Sequence, residues 1–338
     1  MSCYLVAGGA GFIGSHLVKT LHRDGHRVVV LDNLTQGHAA SVPTGVPLLK
    51  IDLADQASVD GVFSRYQFDA VFHFAALSLV GESMTDPLRY CRDNVANTLN
   101  LAQSAIKANC LRFVFSSTAA LFLPPDDGSP ISQDAEPCPQ NAYGDSKWMI
   151  ERALGWADKV HGLRTASLRY FNAAGCDVEG DLGEDHDPET HLIPLAIDAA
   201  LGLRAPLYLF GTDYATRDRT AIRDYVHVDD LAAAHVAVLE KLDSKSCHYN
   251  LGTGTGSSVR EVLSAVERVA GHPVPIVAER RRVGDPPVLV AESSAFTAAT
   301  GWEPRMTRLD DIVATAWNWR RRHPGGYGPN ARPLSAVG

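Results

Sequence analysis

The sequence predicts an α/β protein, a doubly wound parallel sheet of the Rossmann type with a smaller C-terminal α/β domain. Apolar runs of strand length alternate with helical patterns as far as Asn172. The first of these runs ends in the glycine-rich segment GGAGFIG, and 338 residues suffice for one large or two coupled domains. Strands that are apolar almost throughout are buried on both faces, which is typical of parallel βαβ units.

The elements up to Asn172 follow one another regularly. CYLVAGG predicts the first strand, and FIGSHLVKTLHRDG predicts a helix because Ile13, Leu17 and Leu21 share a face and Gly25 ends the pattern. The later strands are HRVVVLDN, PLLKIDL, DAVFHFAA, LRFVFSST and TASLRYFN, and the later helices are PLRYCRDNVANTLNLAQSAIKAN and NAYGDSKWMIERALGWADKVHG. This alternation predicts parallel strands joined by helical crossovers.

Beyond Asn172 the pattern is less regular. The acidic segment CDVEGDLGEDHDPETH predicts a surface loop, and HLIPLAIDAALG predicts a short helix. The alternating pattern returns in RDYVHVDDLAAAHVAVLEKL and CHYNLGTG, and from about Val259 a helix mixes with proline-rich segments. The last residues, GGYGPNARPLSAVG, predict a loosely held tail.

Composition excludes several classes of function. Hydrophobic residues make up 45% and charged residues 21% of the chain, and the net charge is −8, so neither nucleic acid nor an anionic membrane is an expected partner. The six cysteines are scattered without a C-x-x-C pair, which predicts reduced thiols in the cytoplasm and no metal site. No basic, apolar leader and no apolar run of about 20 residues is present, so neither a signal peptide nor a membrane span is expected.

The glycine loop predicts a dinucleotide site. Gly9, Gly11 and Gly14 form G-x-G-x-x-G between a strand and a helix, where backbone N–H groups and the helix dipole can hold a pyrophosphate. Asp32 ends the next strand, and a carboxylate there accepts hydrogen bonds from ribose hydroxyls and repels a 2′-phosphate. The loop therefore predicts NAD rather than NADP. Asp52, which ends KIDL, could meet the adenine edge or simply cap a turn.

A second glycine cluster, LGTGTGSSVREV, also lies between a strand and a helix. A second nucleotide site is one interpretation. The favoured one is a set of turn glycines, with Ser257 or Ser258 capping the helix that opens at Val259.

Tyr143 and Lys147 stand four residues apart in NAYGDSKWMIE, so on a helix they share a face. A tyrosine has an ordinary pKa of about 10 and needs a nearby positive charge to act as a base at neutral pH. Such pairs are also common on exposed helices, so the spacing alone decides nothing.

Taken together, the glycine loop, Asp32 and the Tyr143–Lys147 pair resemble the extended short-chain dehydrogenase/reductase superfamily. Within it, HFAALSLVGES, DNVANTLNL, LRYFNAAG, IRDYVHVDDLAAAH, YNLGTGTG and RRVGDPP resemble the UDP-glucose (UDP-galactose) 4-epimerase family, over about residues 4–320. The resemblance implies NAD-dependent inversion of C4 of a UDP-hexose through a transient 4-keto sugar. In this scheme Tyr143 removes the 4-hydroxyl proton, and Lys147 lowers its pKa together with the charged nicotinamide.

The resemblance also implies three sets of site residues. The catalytic set is Tyr143, Lys147 and Thr118. The NAD-binding set is Gly8, Gly11, Phe12, Ile13, Gly14, Asp32, Asn33, Asp52, Leu53, Phe74, Ala75, Ala76, Asn94, Ser116, Tyr143, Lys147 and Tyr170. The UDP-sugar set is Thr118, Tyr143, Asn172, His191, Leu192, Arg223, Arg282 and Asp285, with His191 the weaker case because it could be packed structurally.

Domain division and assembly follow from the same resemblance. It implies an NAD-binding domain over 1–175 plus about 222–255, a UDP-sugar-binding domain over 176–221 plus 256–330, and a tail over 331–338. It also implies a homodimer that pairs helices near residues 90–108 and 143–160.

Several positions narrow the reaction or depart from the family pattern. Ala119 and Ala120 stand where related 4,6-dehydratases carry Asp-Glu, and a methyl group cannot act as an acid or base, so dehydration is not expected. Ser78 replaces a lysine that contacts a cofactor phosphate, and Leu121-Phe122-Leu123 replaces Val-Tyr-Gly. Leu289 replaces a bulky tyrosine near the sugar's C2 substituent, which predicts tolerance of N-acetylhexosamines.

Two alternatives stay open. A 4-epimerase for a UDP-uronate, UDP-pentose or UDP-N-acetylhexosamine would share nearly all of these motifs. A non-catalytic, NAD-sensing regulatory protein could use the same fold, but it would have no need of the complete Thr118, Tyr143 and Lys147 set.

Overall fold

The computed structural model describes residues 1–282 and 285–328. Within them the strands, numbered in chain order, are β1 (Cys3–Ala7), β2 (Arg27–Asp32), β3 (Leu48–Lys50), β4 (Ala70–His73), β5 (Arg112–Thr118), β6 (Arg164–Tyr170), β7 (Asn172–Ala174), β8 (Leu207–Phe210), β9 (Ile222–His227), β10 (Cys247–Leu251), β11 (Gly256–Ser258), β12 (Ile276–Glu279) and β13 (Val288–Leu289). The α-helices are α1 (Phe12–Arg23), α2 (Gln56–Arg65), α3 (Val80–Ser83), α4 (Pro87–Tyr90), α5 (Asn97–Lys107), α6 (Ala142–His161), α7 (Leu192–Ala200), α8 (Val228–Ala237), α9 (Val259–Ala270), α10 (Ser294–Thr300) and α11 (Leu309–Arg322). Val283 and Gly284 of RRVGD, and the predicted tail 331–338, lie outside the described residues.

Seven parallel strands form the larger sheet, in the order β10-β6-β5-β4-β1-β2-β3. The chain runs outward from β1 to β3 and then crosses back to β4 on the other side of β1. This reversal places a crevice at the carboxyl ends of β1 and β4, where ligands of such sheets bind. The predicted doubly wound parallel sheet is confirmed.

Each face of the larger sheet carries its own core, because successive side chains of a strand point to opposite faces. Leu5 and Val29 belong to the core beneath α2, α5 and α6, whereas their neighbours Val6 and Val30 belong to the core beneath α1 and α8. All four side chains are at most 3% exposed. Burial on both faces explains why the strands read as unbroken apolar runs.

The smaller part of the chain contains two short sheets. One has the order β11-β9-β13, with β7 paired to β9, and the other pairs β12 with β8. Helices α7, α9 and α11 pack beside them around Ile193, Val262, Ile312 and Trp319. The predicted division at 222–255 is therefore not clean: β9 pairs in the smaller sheet, whereas α8 and β10 belong to the larger one.

Two predicted segments differ in detail. The acidic segment 176–191 is only partly a surface loop, because Leu182 is fully buried and Asp177 and Glu184 are 6% and 7% exposed. The long predicted helix after Asp86 forms, but a π-helical turn at Cys91–Ala96 separates α4 from α5. No helix among the described residues is long and apolar enough to cross a membrane.

Candidate active site

The glycine loop lies between β1 and the N-terminus of α1. Gly8 has a φ of +79°, and a Cβ atom there would collide with the backbone of Ala75, which follows β4. A Cβ at Gly14 would collide with the carbonyl oxygen of Gly8. Gly11 is the N-cap of α1 and provides no side-chain cap. The loop therefore brings bare backbone to the switch point, beside the first N–H groups of the helix.

The other predicted NAD residues gather at the carboxyl edge of the larger sheet. Asp32 ends β2, is 7% exposed, and its two oxygens accept hydrogen bonds from Leu34 N at 2.9 Å and Ala10 N at 3.0 Å. Burial raises its pKa, and these two hydrogen bonds oppose that shift. The Asn33 amide donates to Asp52 at 3.0 Å, which joins the ends of β2 and β3. Of the remaining members, Phe12 and Ile13 begin α1, Leu53 comes shortly after β3, and Phe74, Ala75 and Ala76 directly follow β4.

The structure brings the three predicted catalytic side chains together. Thr118 is the last residue of β5, and its hydroxyl lies beside the phenol of Tyr143 near the start of α6, where it acts to lower the pKa of Tyr143. The Lys147 ammonium lies 5.8 Å from the centre of the Tyr143 ring and donates to the Ser116 carbonyl at 2.9 Å. The Tyr143–Lys147 pair therefore does not lie on an exposed helix face, since Lys147 is only 2% exposed.

Local packing fixes the start of α6 against the end of β5. Asn141 caps the helix by accepting from Gly144 N at 2.8 Å. Gly144 approaches the carbonyl oxygen of Ala120 so closely that a Cβ would collide with it. A glycine at this position therefore lets Tyr143 reach Thr118.

Burial governs the charges of this group. Burial lowers the pKa of Lys147 to about 7, against the opposing influence of Glu151. Burial also raises the pKa of Tyr143, and the Thr118 hydrogen bond opposes that shift. The expected lowering of the Tyr143 pKa is therefore not a property of the polypeptide alone.

Asn94 lies inside the π-helical turn, a feature frequent at functional sites. Its amide oxygen accepts a hydrogen bond from Leu77 N at 2.8 Å. Its amide nitrogen donates to the Leu77 carbonyl and to the Ser146 hydroxyl, each at 3.0 Å. Ser146 in turn donates to the Tyr143 carbonyl at 2.7 Å. At the neighbouring strand ends, the hydroxyls of Ser116 and Tyr170 share a short hydrogen bond.

The predicted substrate residues lie on the smaller sheet and the loops around it. Arg223 of β9 forms an ion pair with Asp285, and the Tyr214 hydroxyl donates to the same carboxylate at 3.3 Å. The Arg282 guanidinium carbon lies 4.2 Å from the centre of the Phe210 ring. Asn172 begins β7 and is in register with Tyr225 of β9.

The segment after Thr118 links the two halves. Leu121 and Phe122 are buried in a small cluster against which Leu289 packs, and Leu289 is in register with Arg223. Two of the departures from the family pattern, Leu121-Phe122-Leu123 and Leu289, therefore meet in one place.

His191 is the N-cap residue of α7, which begins at Leu192. Its Nδ1 atom lies 2.8 Å from a Glu184 oxygen and 2.9 Å from a Glu189 oxygen. Arg223 and Asp285 pair with each other, whereas the His191 side chain pairs with the carboxylates of Glu184 and Glu189.

Comparison with known proteins matches this architecture. Residues 4–252 match the model of the NAD dependent epimerase/dehydratase family. A UDP-glucose 4-epimerase from Halalkalibacterium halodurans is 45% identical over 325 residues, which cover 96% of this chain and 97% of that protein. The chain belongs to the NAD dependent epimerase/dehydratase family.

Solved structures of the family agree. A UDP-glucose 4-epimerase from Brucella ovis in complex with NAD has a TM-score of 0.90 and 42% identity, covering 94% of this chain and 98% of that one. A UDP-Glc/GlcNAc 4-epimerase from Campylobacter jejuni has a TM-score of 0.83 and 38% identity, covering 95% of this chain and all of that one. The predicted family, enzyme class and NAD cofactor are confirmed.

The residues of this epimerase fit NAD. Bare backbone at Gly8 and Gly14 and the uncapped N-terminus of α1 suit a pyrophosphate. The buried Asp32 carboxylate keeps lone pairs for ribose hydroxyls beyond its two backbone bonds. Lys147 uses one of its three N–H donors on Ser116 and has two left.

Sequence reasoning missed the support behind Lys147. Glu151 follows it by one helical turn and accepts from Arg169 at 2.6 and 3.0 Å and from Ser117 at 2.5 Å. Arg169 and Glu151 are 4% and 6% exposed in their side chains, so this ion pair fastens α6 to β5 and β6. The Tyr143, Lys147, Glu151 spacing was a signal that could have found it.

The second glycine cluster has its favoured interpretation confirmed. Ser258 caps α9 in a capping box with Glu261. The Asp224 carboxylate accepts from Thr253 and Gly254 within the cluster, so these glycines shape a turn.

Proposed function

We propose that this chain inverts C4 of a UDP-hexose, interconverting UDP-glucose and UDP-galactose with NAD as cofactor. The observation that carries the proposal is the contact of Tyr143 with Thr118, one helical turn from Lys147, at the same sheet edge as the glycine loop. The family match and the UDP-glucose 4-epimerase relatives support it. Within the chain we propose an NAD-binding part on the larger sheet and a UDP-sugar-binding part on the smaller ones.

Tyr143 acts as the base that takes the proton of the sugar 4-hydroxyl, directly or through Thr118. A base must lie within hydrogen-bond reach of the proton that it removes. The Thr118 hydroxyl lies beside the Tyr143 phenol, so it can relay the proton from the sugar to Tyr143. NAD⁺, held by the backbone at Gly8 and Gly14, by Asp32 and by Lys147, would supply a reversible hydride acceptor for C4 and a positive charge. Lys147, fixed by the Ser116 carbonyl, favours the phenolate when it carries its proton and holds the nicotinamide ribose.

The residues around the base exclude competing chemistry. Ala119 and Ala120 follow Thr118 in a short turn, with Ala119 7% exposed. Neither side chain can donate or accept a proton, so water is not expelled from the sugar. The product is therefore the epimer.

The anchoring set, Asn172, Arg223, Arg282 and Asp285, must hold uracil and diphosphate while the 4-keto sugar rotates. The rotation presents the other face of the sugar for the return of hydride to C4. Arg223 and Arg282 are the phosphate ligands, because a guanidinium fork matches phosphate oxygens. Asp285 and Asn172 serve hydroxyl and amide groups of the nucleoside. We assign the backbone at His191 and Leu192, where α7 begins, to the edge of this site.

Leu289 sets the tolerance for the C2 substituent. It is half-buried against Leu121 and Phe122 and lies beside Arg223, so we assign an apolar wall to the sugar end of the site. A wall made of leucine rather than tyrosine leaves room for an acetamido group.

A panel of UDP-sugars tests both proposals. The purified chain is assayed with UDP-glucose, UDP-N-acetylglucosamine, UDP-glucuronate and UDP-xylose, each for interconversion at C4. We expect the first two to react, and Leu289→Tyr to reduce the rate with UDP-N-acetylglucosamine several-fold more than the rate with UDP-glucose. Reaction of UDP-glucose alone removes the proposed tolerance. Reaction of the uronate or pentose alone replaces the hexose assignment.

The NAD-sensing alternative makes the opposite forecast. An NAD-sensing protein would bind NAD and turn over no UDP-sugar in the panel. That result would favour this alternative over the epimerase. The mutual contact of Thr118 and Tyr143 has no use in that role.

A homodimer is the proposed assembly. Helix α6 exposes Met149, Trp156 and Val160 at positions of one face, by 39%, 64% and 67%, and the neighbouring α5 exposes Leu99 by 43%. Large exposed apolar side chains at helical spacing suit a helix-to-helix interface. Sedimentation equilibrium of Trp156→Glu should give a lighter species than the unchanged chain, and a monomeric unchanged chain contradicts the proposal.

A cytoplasmic location is proposed because all six cysteines are free thiols, and recovery in an oxidising compartment would contradict it.

A further inference from the structure

The partly buried segment 184–191 collects four side chains that the proposed reaction does not use. Glu184, His186, Glu189 and His191 each bring one ligand atom to within 4.8 Å of the others. They come from a short stretch in which Glu184 is the most buried, with its side chain 5% exposed. We propose that these residues form a binding site for a divalent transition-metal ion, with Zn²⁺ as the favoured ion.

The spacing of the ligand atoms supports the proposal. A tetrahedral ion with bonds of about 2.0–2.1 Å separates its ligand atoms by roughly 3.4 Å. The His186 nitrogen lies 3.4 Å from Glu184 and 3.6 Å from Glu189, and the His191 nitrogen lies 2.8 and 2.9 Å from the same two residues. Movements of a few tenths of an ångström would therefore complete the coordination.

A second, independent observation points to a ligand. Oε1 of Glu184 and Nδ1 of His186 are both buried and lack a well-aligned hydrogen bond among the described residues, although Oε1 also lies 2.8 Å from Nδ1 of His191. A buried carboxylate oxygen without a well-aligned hydrogen bond is costly, so it calls for a cation, either a protonated imidazole of the cluster or a metal ion that replaces its proton. Oε1 of Glu184 and Nδ1 of His186 face each other at 3.4 Å.

A small cavity adjoins the cluster. It has a volume of about 40 Å³ and is lined by Glu184, His186 and Glu189 together with residues such as Cys176 and Trp319. This is room for at least one water molecule, which could complete the coordination shell. Two imidazoles and two carboxylates suit Zn²⁺ and its neighbours in the transition series rather than Mg²⁺ or Ca²⁺, which prefer oxygen alone.

The neighbouring acidic triad shows the contrast. Asp177, Glu179 and Asp181 also bring three ligand atoms together, but the Lys19 ammonium already hydrogen-bonds to all three, at 2.8, 2.5 and 3.1 Å. That triad has its cation from the chain itself. It therefore serves as the matched control for the Glu184 cluster.

The ion would fasten a bridge between the two halves of the enzyme. The His186 ring meets the edge of Phe12 at 6.1 Å, at the start of α1. His38 contacts the carbonyl of Asp185 at 2.9 Å, and His191 begins α7. Binding to the folded state alone would also raise the melting temperature as the free ion concentration increases, because the added stability grows with the logarithm of 1 + [ion]/Kd.

The experiment uses the full chain without an affinity tag, with its NAD retained, after dialysis against a chelator. ZnCl₂ or CoCl₂ is titrated in a calorimeter, and the cobalt form is examined for visible d–d absorption. We expect about one ion per chain, affinity reduced at least about tenfold in Glu184→Gln and in His186→Gln, and no change in Glu179→Gln. Circular dichroism and NAD content establish that each variant is folded.

Three results would overturn the site. One is a wild-type chain without cobalt absorption, a measurement that needs no variant to fold. Another is equal Zn²⁺ affinity in the wild type and the two cluster variants, which leaves only an ion-pair network of histidines and glutamates. The third is preference for Mg²⁺ or Ca²⁺ over Zn²⁺.

Discussion

The catalytic half and the anchoring half of this site are held in place by different forces. Thr118, Tyr143 and Lys147 stand on a strand end and a helix start, and the backbone of Ser116 and the packing of Gly144 fix them. Arg223 and Asp285 are held by their mutual ion pair and by single hydrogen bonds to Ile222 O and from Tyr214, with side chains 14% and 28% exposed. Proton and hydride transfer need fixed atoms, whereas an anchor can exchange its protein partner for a phosphate.

The largest effect should come from the catalytic half. Tyr143→Phe removes the group that we assign as the base, so turnover with UDP-glucose should fall about 10³-fold, within the range of general base catalysis. NAD should stay bound, because the phenol is one contact among many. Steady-state assays and NAD content after denaturation measure both.

Tyr208→Phe is the control, since Tyr208 lies on β8, is 52% exposed, and has no role in the proposed reaction. Near-normal turnover of Tyr143→Phe would refute the base. A comparable loss in Tyr208→Phe would show that the assay reports folding instead.

The same contrast decides how much the sequence could predict. The catalytic half follows from local patterns: the glycine loop, the strand ending in Thr118, and the Tyr143–Lys147 spacing each lie within one element, and regular elements have regular geometry. Their meeting at one sheet edge then follows from the parallel topology. The resemblance supplied Arg223, Arg282 and Asp285, whose local sequence has no period that would place them together.

What the sequence could not predict depends on contacts between distant segments. The acidic segment 176–191 resembles a solvated loop in composition, yet Lys19, more than 150 residues earlier, neutralises part of it, and Glu184 is buried. Likewise, β9 continues an alternating pattern, but its partner strands β7 and β13 are short and place it in the smaller sheet. The pKa of Tyr143 depends on burial, which spacing does not reveal.

A smaller effect should come from moving the catalytic frame without removing a reacting group. Gly144→Ala drives a methyl group into the Ala120 carbonyl, so α6 must shift away from Thr118. Because a misplacement of about 1 Å can reduce the rate about 10²-fold, we expect a loss of that order in turnover, with Tyr143 and Lys147 intact. Overpacking should also lower the free energy of unfolding by about 1–3 kcal/mol.

Gly155→Ala on the same helix is the matched control. Apart from its chain neighbours and the backbone of its own helix, no heavy atom of the described residues would lie within 4 Å of its Cβ, and alanine favours a helix over glycine by roughly 0.5–1 kcal/mol. Turnover should be unchanged and the melting temperature should rise. If both variants behave alike, the close approach of Gly144 does not position Tyr143.

The smallest effect should come from the anchoring half. Arg223→Met removes the guanidinium that pairs with Asp285 and that we assign to the diphosphate, so KM for UDP-glucose should rise about tenfold to a hundredfold, the loss of one charged hydrogen bond of about 1.5–3 kcal/mol. The rate at saturation should change little, because an interaction made equally with the bound sugar and in the transition state affects KM alone. Arg217→Met is the control, since Arg217 also pairs with a carboxylate, Glu261, but on an exposed surface outside the site. A fall in kcat equal to the rise in KM would place Arg223 among the groups that act on the reacting sugar, and the division between a fixed catalytic half and an exchangeable anchor would then fail.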